Sequence, residues 1–191
     1  MDKTMASLNF KLADSHAHRK ETLSINNEYM TWVVAGIEAS FGIPVADLLG
    51  MSVPEYGESV IDKVCGDTPP RGAFYLVELD DELAGMVGLR YLSAGIAEIK
   101  RLYIRPDFRG KHLGKAFLCR ILNDAKAFGY QRVVLDTAPF MLSAQHLYKA
   151  IGFNDCAPYV GTEVARSLQN NWHFMEMDLN KITLNQTRSE Q

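Results

Sequence analysis

From Ile96 to Ile104 the chain reads as a β-strand, and Pro106 ends it by removing a backbone donor. After Gly110 the period switches. Phe117, Leu118, Ile121, Leu122, Ala125 and Phe128 recur at helical spacing, and Gly129 stands where a helix C-terminus belongs. A strand that passes through a tight glycine turn into a helix leaves the first-turn N–H groups unpaired, at the positive end of the helix dipole. Such an end holds phosphate oxygens, and Gly110 and Gly114 let a ligand approach the backbone. Charge points the same way. Residues 100–132 carry nine basic side chains against Asp107 and Asp124, within a chain of net charge −3. A basic turn in an otherwise acidic protein reads as a polyanion site, and the overall balance argues against a general nucleic-acid binder. The residues alone leave a second reading open, a solvated basic helix face behind an ordinary turn.

The remaining elements arrange themselves around this stretch. Residues 8–14 suggest a short opening strand. Ile25, Tyr29, Trp32, Val33 and Ile37 predict a helix over Ser24–Ser40, closed by Gly42 and Pro44, and a shorter helix spans Glu55–Val64. Ala73–Leu79 and Leu83–Leu92 predict a hairpin around Asp80-Asp81-Glu82. Val133–Leu135 is a buried-type strand, Met141–Ile151 a helix ending at Gly152, and Phe153 onward and Trp172–Leu179 two closing strands. Helices before and between strands indicate an α/β or α+β domain on one mixed sheet. The 191 residues suit a single domain, with 1–22 poorly defined and 180–191 a loose polar tail. Cys65, Cys119 and Cys156 match no metal or dithiol spacing, so no metal is expected. No signal peptide or membrane span is evident, and the expected location is cytoplasmic.

Arg109-Gly110-Lys111-His112-Leu113-Gly114 resembles the Q/R-x-x-G-x-G/A signature of the GCN5-related N-acetyltransferase (GNAT) family. Leu102-Tyr103-Ile104 before Arg105-Pro106 resembles that family's fourth strand, and Leu147-Tyr148-Lys149-Ala150-Ile151-Gly152-Phe153 its late L-Y-x-x-x-G-F segment. Leu135-Asp136-Thr137, with Met141 and Ala144, is similar to the fifth strand and the following helix. The order agrees from about Ala73 to Leu179. One position departs: His112 stands where the family has its central glycine. Its imidazole would either bond a phosphate or point away and leave the contact to the backbone.

The resemblance implies a mixed, mostly antiparallel sheet flanked by helices, acetyl-CoA as co-substrate, and an amine as acceptor. It implies that the backbone of Leu102, Tyr103 and Ile104 pairs with the pantetheine arm. Arg109, Gly110, Lys111, His112, Leu113, Gly114 and Lys115 would cradle the pyrophosphate. Glu98 is the leading general base and Asp136 an alternative, with ordered water a third route. Strand alternation predicts Glu98, Lys100 and Leu102 on one face and Ile99, Arg101 and Tyr103 on the other. Tyr148 would protonate or hydrogen-bond the departing thiolate, or simply pack its ring. Cys119 lies inside a predicted helix, which favours direct transfer over a thiol intermediate. Tyr29, Trp32, Tyr159 and Trp172 line an acceptor pocket or pack the core, and acid outside the basic stretch would favour a cationic acceptor. A small amine is expected, with protein amines and a non-catalytic acyl-CoA-binding module as alternatives, and a homodimer as the default assembly.

Overall fold

The structure, a computed structural model, describes residues 7–181. Seven strands form one sheet: β1 (Leu8–Leu12), β2 (Ala73–Leu79), β3 (Glu82–Ser93), β4 (Ile96–Ile104), β5 (Arg132–Thr137), β6 (Asn154–Cys156) and β7 (His173–Asp178). Their spatial order is β1-β2-β3-β4-β5-β7-β6. Only β4 and β5 run parallel; every other neighbouring pair is antiparallel. This is the expected mixed, mostly antiparallel sheet. The helices are α1 (Arg19–Phe41), α2 (Val45–Leu49), α3 (Val53–Val64), α4 (Leu113–Ala127), α5 (Leu142–Ile151) and α6 (Arg166–Gln169).

Local chemistry explains several boundaries. Asp80 and Asp81 take φ of 53° and 65°, the paired left-handed values that a two-residue hairpin turn needs to match strand twist. Ser52 and Glu55 form a reciprocal capping box at the start of α3. The N-terminal stretch is more ordered than its sequence suggests. β1 pairs along β2, and α1 begins five residues before the expected Ser24. Its polar first turn hides the start, because Arg19 reaches across to Glu58 and Asp62 of α3 instead of burying an apolar face. The expected tail lies outside the described residues from 182 onward, whereas Leu179–Lys181 form a 3-10 turn.

Two apolar layers cover the sheet. On one face α4 and α5 pack Phe117, Ile121 and Tyr148 against Val87, Leu89, Ile99 and Val133. On the other, Ile25 of α1 joins Phe74, Leu76, Met86 and Tyr103. The two layers expose an error in the expected alternation along β4. Gly88 pairs with Lys100 but Met86 pairs with Tyr103, so Val87 opposes both Arg101 and Leu102. This β-bulge, with Arg101 at φ 55°, inserts one residue and reverses the faces after it. Leu102 therefore packs with the α4 layer and Tyr103 with the α1 layer, the opposite of strict alternation.

The sheet also forks. β4 and β5 pair only at Ile96–Arg132, Ala97–Val133 and Glu98–Val134. Beyond that point β5 continues with β7 and β4 with β3, so the β5-facing edge of residues 99–104 has no strand partner. The turn into α4 follows, with Gly110 at φ 77° and His112 at φ 58°. A methyl group added at Gly110 would touch nothing, so its cost is conformational alone. Gly110→Ala should lower stability by about 1–2 kcal/mol. His112→Gly should raise it by about 0.5 kcal/mol, strain relief being partly offset by glycine's backbone entropy. Urea unfolding of both variants checks the pair, and equal stabilities would contradict the strained-turn account.

Candidate active site

The fork opens a cleft of about 440 Å³ between β4, the start of α4 and the start of α5. Leu102, Tyr103 and Ile104 form one wall, Gly114 the floor by α4, and Met141 and Ala144 the far side. His112 occupies the N-cap of α4 but makes no capping hydrogen bond, and its side chain is exposed. No side chain caps the first N–H groups of α4, which leaves them available to an anion. The departure from the family glycine is thereby explained: the position demands a left-handed backbone, which histidine tolerates better than most residues. Gly114 is required for a different reason. A Cβ there would lie 2.8 Å from Leu147 Cδ2 and would push that side chain from its place in the cleft wall.

The other expected contacts divide by depth. Lys111 and Lys115 are exposed at the mouth, and Leu113 is buried in the α4 layer, so it offers only its backbone. Arg109 donates from Nε to the Ile104 carbonyl at 3.1 Å and lies 5.8 Å over the Trp32 ring. The Tyr103 hydroxyl donates to Glu28 at 2.9 Å, and Arg105 holds the second oxygen of the same carboxylate, tying α1 to β4. Burial and then the Glu28 bond push the Tyr103 phenol up to about 12.

Tyr148 is the buried residue of α5, stacked obliquely on Phe153 at 5.8 Å. Its hydroxyl has no protein hydrogen-bond partner among the described residues. Burial, and after it Tyr29 and Asp136, hold its pKa well above the ordinary phenol value, so it stays a proton donor at neutral pH.

Glu98 sits at the last paired position of the fork and is fully buried. Arg90 donates to its Oε2, from Nε at 2.9 Å and again from Nη2. Tyr159 donates its hydroxyl to Oε1 at 2.7 Å, and Lys100 approaches the same oxygen at 3.5 Å. Both carboxylate oxygens are thus engaged. Asp136 lies beside this cluster but reaches an open wall: it accepts from Trp172 Nε1 at 2.9 Å and faces Lys100 at 3.5 Å. Burial disfavours the Lys100 ammonium, yet Asp136, Glu98 and Glu163 outweigh it and hold the charge in place.

A second cavity, about 360 Å³, opens on the α1 side of the fork. Tyr29, Ile99, Lys100, Arg101, Asp136 and Trp172 are among its lining residues. Consecutive segments of β4 therefore serve two spaces, 99–101 this cavity and 102–104 the cleft. Of the four aromatic residues the sequence left between pocket and core, Tyr29 and Trp172 line the second cavity, Trp32 lines the cleft, and Tyr159 belongs to the ion cluster. Arg90, Arg101 and Glu163 carry no sequence signal of their own, because their roles depend on the bulge and on contacts distant in sequence.

Glu163 joins the cluster through Lys63 at 2.6 Å, Arg90 at 3.0 Å and Lys100 at 3.3 Å. Burial alone would raise its carboxyl pKa, but Lys100, Lys63 and Arg90 hold it at about 2. A depressed carboxylate contributes stability that is present above its ordinary value of 4.5 and is lost as the pH falls towards about 2. Glu163→Gln should therefore lower the melting temperature at neutral pH, and the gap to the parent should close over that acid window. A gap independent of pH, followed by circular dichroism, would show that the ion contacts do not contribute.

The chain matches the model of the Acetyltransferase (GNAT) family over residues 46–153, more than half its length. It is 32% identical over 115 residues to an uncharacterized N-acetyltransferase of Schizosaccharomyces pombe, covering 59% of this chain and 68% of the relative. A second such protein, from Escherichia coli, is 28% identical over 155 residues, covering 76% of this chain and 90% of the relative. Spermidine N-acetyltransferase from Vibrio cholerae, solved with CoA and spermine, shares the fold with a TM-score of 0.64 at 18% identity, over 91% of this chain and 96% of that one. With the family model matched across β2 to α5, the chain belongs to the GNAT family of acetyltransferases.

Proposed function

We propose that this protein transfers the acetyl group of acetyl-CoA directly to the primary amine of a small molecule. The observation that carries the reading is the fork: one strand lines the cleft with residues 102–104 and the second cavity with 99–101. Two ligands held on either side of that strand would meet where β4 and β5 part. The cleft fits the donor chemically. Its unpaired β4 edge suits the amide groups of a pantetheine arm, and the uncapped α4 turn, with Lys111 and Lys115 at the mouth, suits a pyrophosphate. The Vibrio cholerae relative holds CoA together with a small amine on the same fold, which supports both halves of the assignment.

The residues then divide the chemistry. An alkylamine has a pKa around 10.4 and must lose a proton before its nitrogen attacks the thioester carbon. Asp136 takes that proton, directly or through water, because it lines the acceptor cavity whereas Glu98 is fully buried beneath the wall. Glu98 positions Lys100 and Tyr159 around Asp136. Free backbone N–H groups of β4 stabilise the charge that develops on the thioester oxygen. The C–S bond breaks as the C–N bond forms, and the sulfur receives a hydrogen bond, then a proton, through Tyr148. The nitrogen loses a second proton as the amide forms; that proton balances the one CoA gains and restores Tyr148 through solvent, and the first passes from Asp136 to water. Proximity supplies much of the acceleration.

Tyr148→Phe should lower kcat about 100-fold while leaving the calorimetric affinity for acetyl-CoA unchanged. Asp136→Asn should lose rate most at neutral pH and recover towards high pH, where free amine becomes abundant. Glu98→Gln should act first on stability, by about 3–5 kcal/mol, since it strands buried cations. Tight binding of acetyl-CoA with no CoA release for any amine would instead identify a non-catalytic acyl-CoA-binding module. No binding would remove the reading altogether.

A further inference from the structure

Of the cations around the second cavity, Arg101 alone lacks a counter-ion among the described residues. Arg90 is engaged by Glu98 and Glu163, and Lys100 by Glu98, Asp136 and Glu163. The Arg101 side chain is half-buried and lines this cavity and a smaller one beside it. Its Nη1 contacts only the Met30 thioether, at 3.5 Å, and among the described residues it forms no ion pair with a carboxylate. A guanidinium withdrawn from water without an anionic partner is costly, and this one also sits on a left-handed residue of a strand. Two costs at one position mark a group placed to meet a ligand.

We infer that Arg101 binds the carboxylate of the acceptor, so that the acceptor is an amino acid rather than a simple amine. This rests on the acetyl-transfer reading for the fate of the amine. Asp136 and Glu163 line the same cavity beside Lys100, which is paired with both, so among the described residues Arg101 is the lining cation left to meet a carboxylate, and Asp136 attracts the ammonium end. Planar bidentate pairing with a carboxylate is what an arginine fork does best. The remaining wall is apolar, with Met30, Val33, Ile37, Leu168 and Trp172, and selects a hydrophobic or aromatic side chain. A polyamine would answer Asp136 and Glu163 but bring no anion to Arg101. The cationic acceptor expected from the overall acidity would leave Arg101 without a counter-ion.

The test compares L-phenylalanine, L-leucine and L-methionine with the amines left when each loses its carboxylate, and with spermidine. Acetyl-CoA-dependent CoA release gives kcat/KM, and quenching of tryptophan emission gives binding without turnover. The parent protein should favour at least one amino acid over its decarboxylated partner by on the order of 10- to 100-fold. Arg101→Gly, which suits the left-handed backbone, should abolish that preference through KM while keeping acetyl-CoA affinity. Arg101→Lys should retain part of it. Equal use of the paired compounds by the parent, preference for spermidine, or a preference that survives Arg101→Gly overturns the inference. Carboxylate-dependent quenching without CoA release would uphold the inference and overturn the catalytic reading. The absence of both quenching and release overturns the inference, while calorimetric binding of acetyl-CoA still reports separately on the donor site.

Discussion

The Glu98 carboxylate, buried where β4 and β5 part, is the interaction on which the site depends. It is the last β4 residue paired to β5, and it gathers Arg90, Lys100 and Tyr159 at the root of the fork. Asp136 and Glu163 complete a cluster of alternating charge. Charges buried this way are costly to desolvate, and removing one partner leaves the others exposed to that cost. The cluster therefore acts as a unit. It carries Asp136 to the cavity wall, and through Glu163 it draws the connection between β6 and β7 over the second cavity.

The bulge at Arg101 is the second determinant. An uninterrupted strand would keep Leu102 on the face of Lys100 and present Arg101 to the α4 layer. With one residue inserted, Lys100 and Arg101 both reach the second cavity, while Leu102 and Ile104 line the cleft. A single strand thereby supplies two binding walls and the unpaired backbone between them. Tyr148 approaches the fork from α5, held protonated by its burial. The turn into α4, the fork and the second cavity are thus coupled through β4 rather than through any one loop.

Much of this is legible in the sequence because it is local. The Asp80-Asp81 hairpin, the stripe from Phe117 to Ala125 and the strand–turn–helix stretch around Gly110 each follow from neighbouring residues. The motifs around Arg109 and Tyr148 identify the family for the same reason. What the sequence hides is non-local or irregular. A bulge carries no periodic mark, so the faces of Leu102 and Tyr103 are inverted in a strict reading. Arg90 and Glu163 meet 73 residues apart in the chain. The burial that removes Glu98 from the cavity wall is set by Tyr159 and Arg90, neither of which is its sequence neighbour. The first turn of α1 is masked because Arg19 satisfies charges on α3.

The central claim is that the parted edge of β4 and the turn into α4 together hold the donor. Amide hydrogen exchange with and without acetyl-CoA tests it residue by residue. The account predicts slowed exchange at residues 102–104 and 110–115, with β1 and β2 unchanged. Binding of acetyl-CoA that leaves both segments exchanging at their free rates would contradict it.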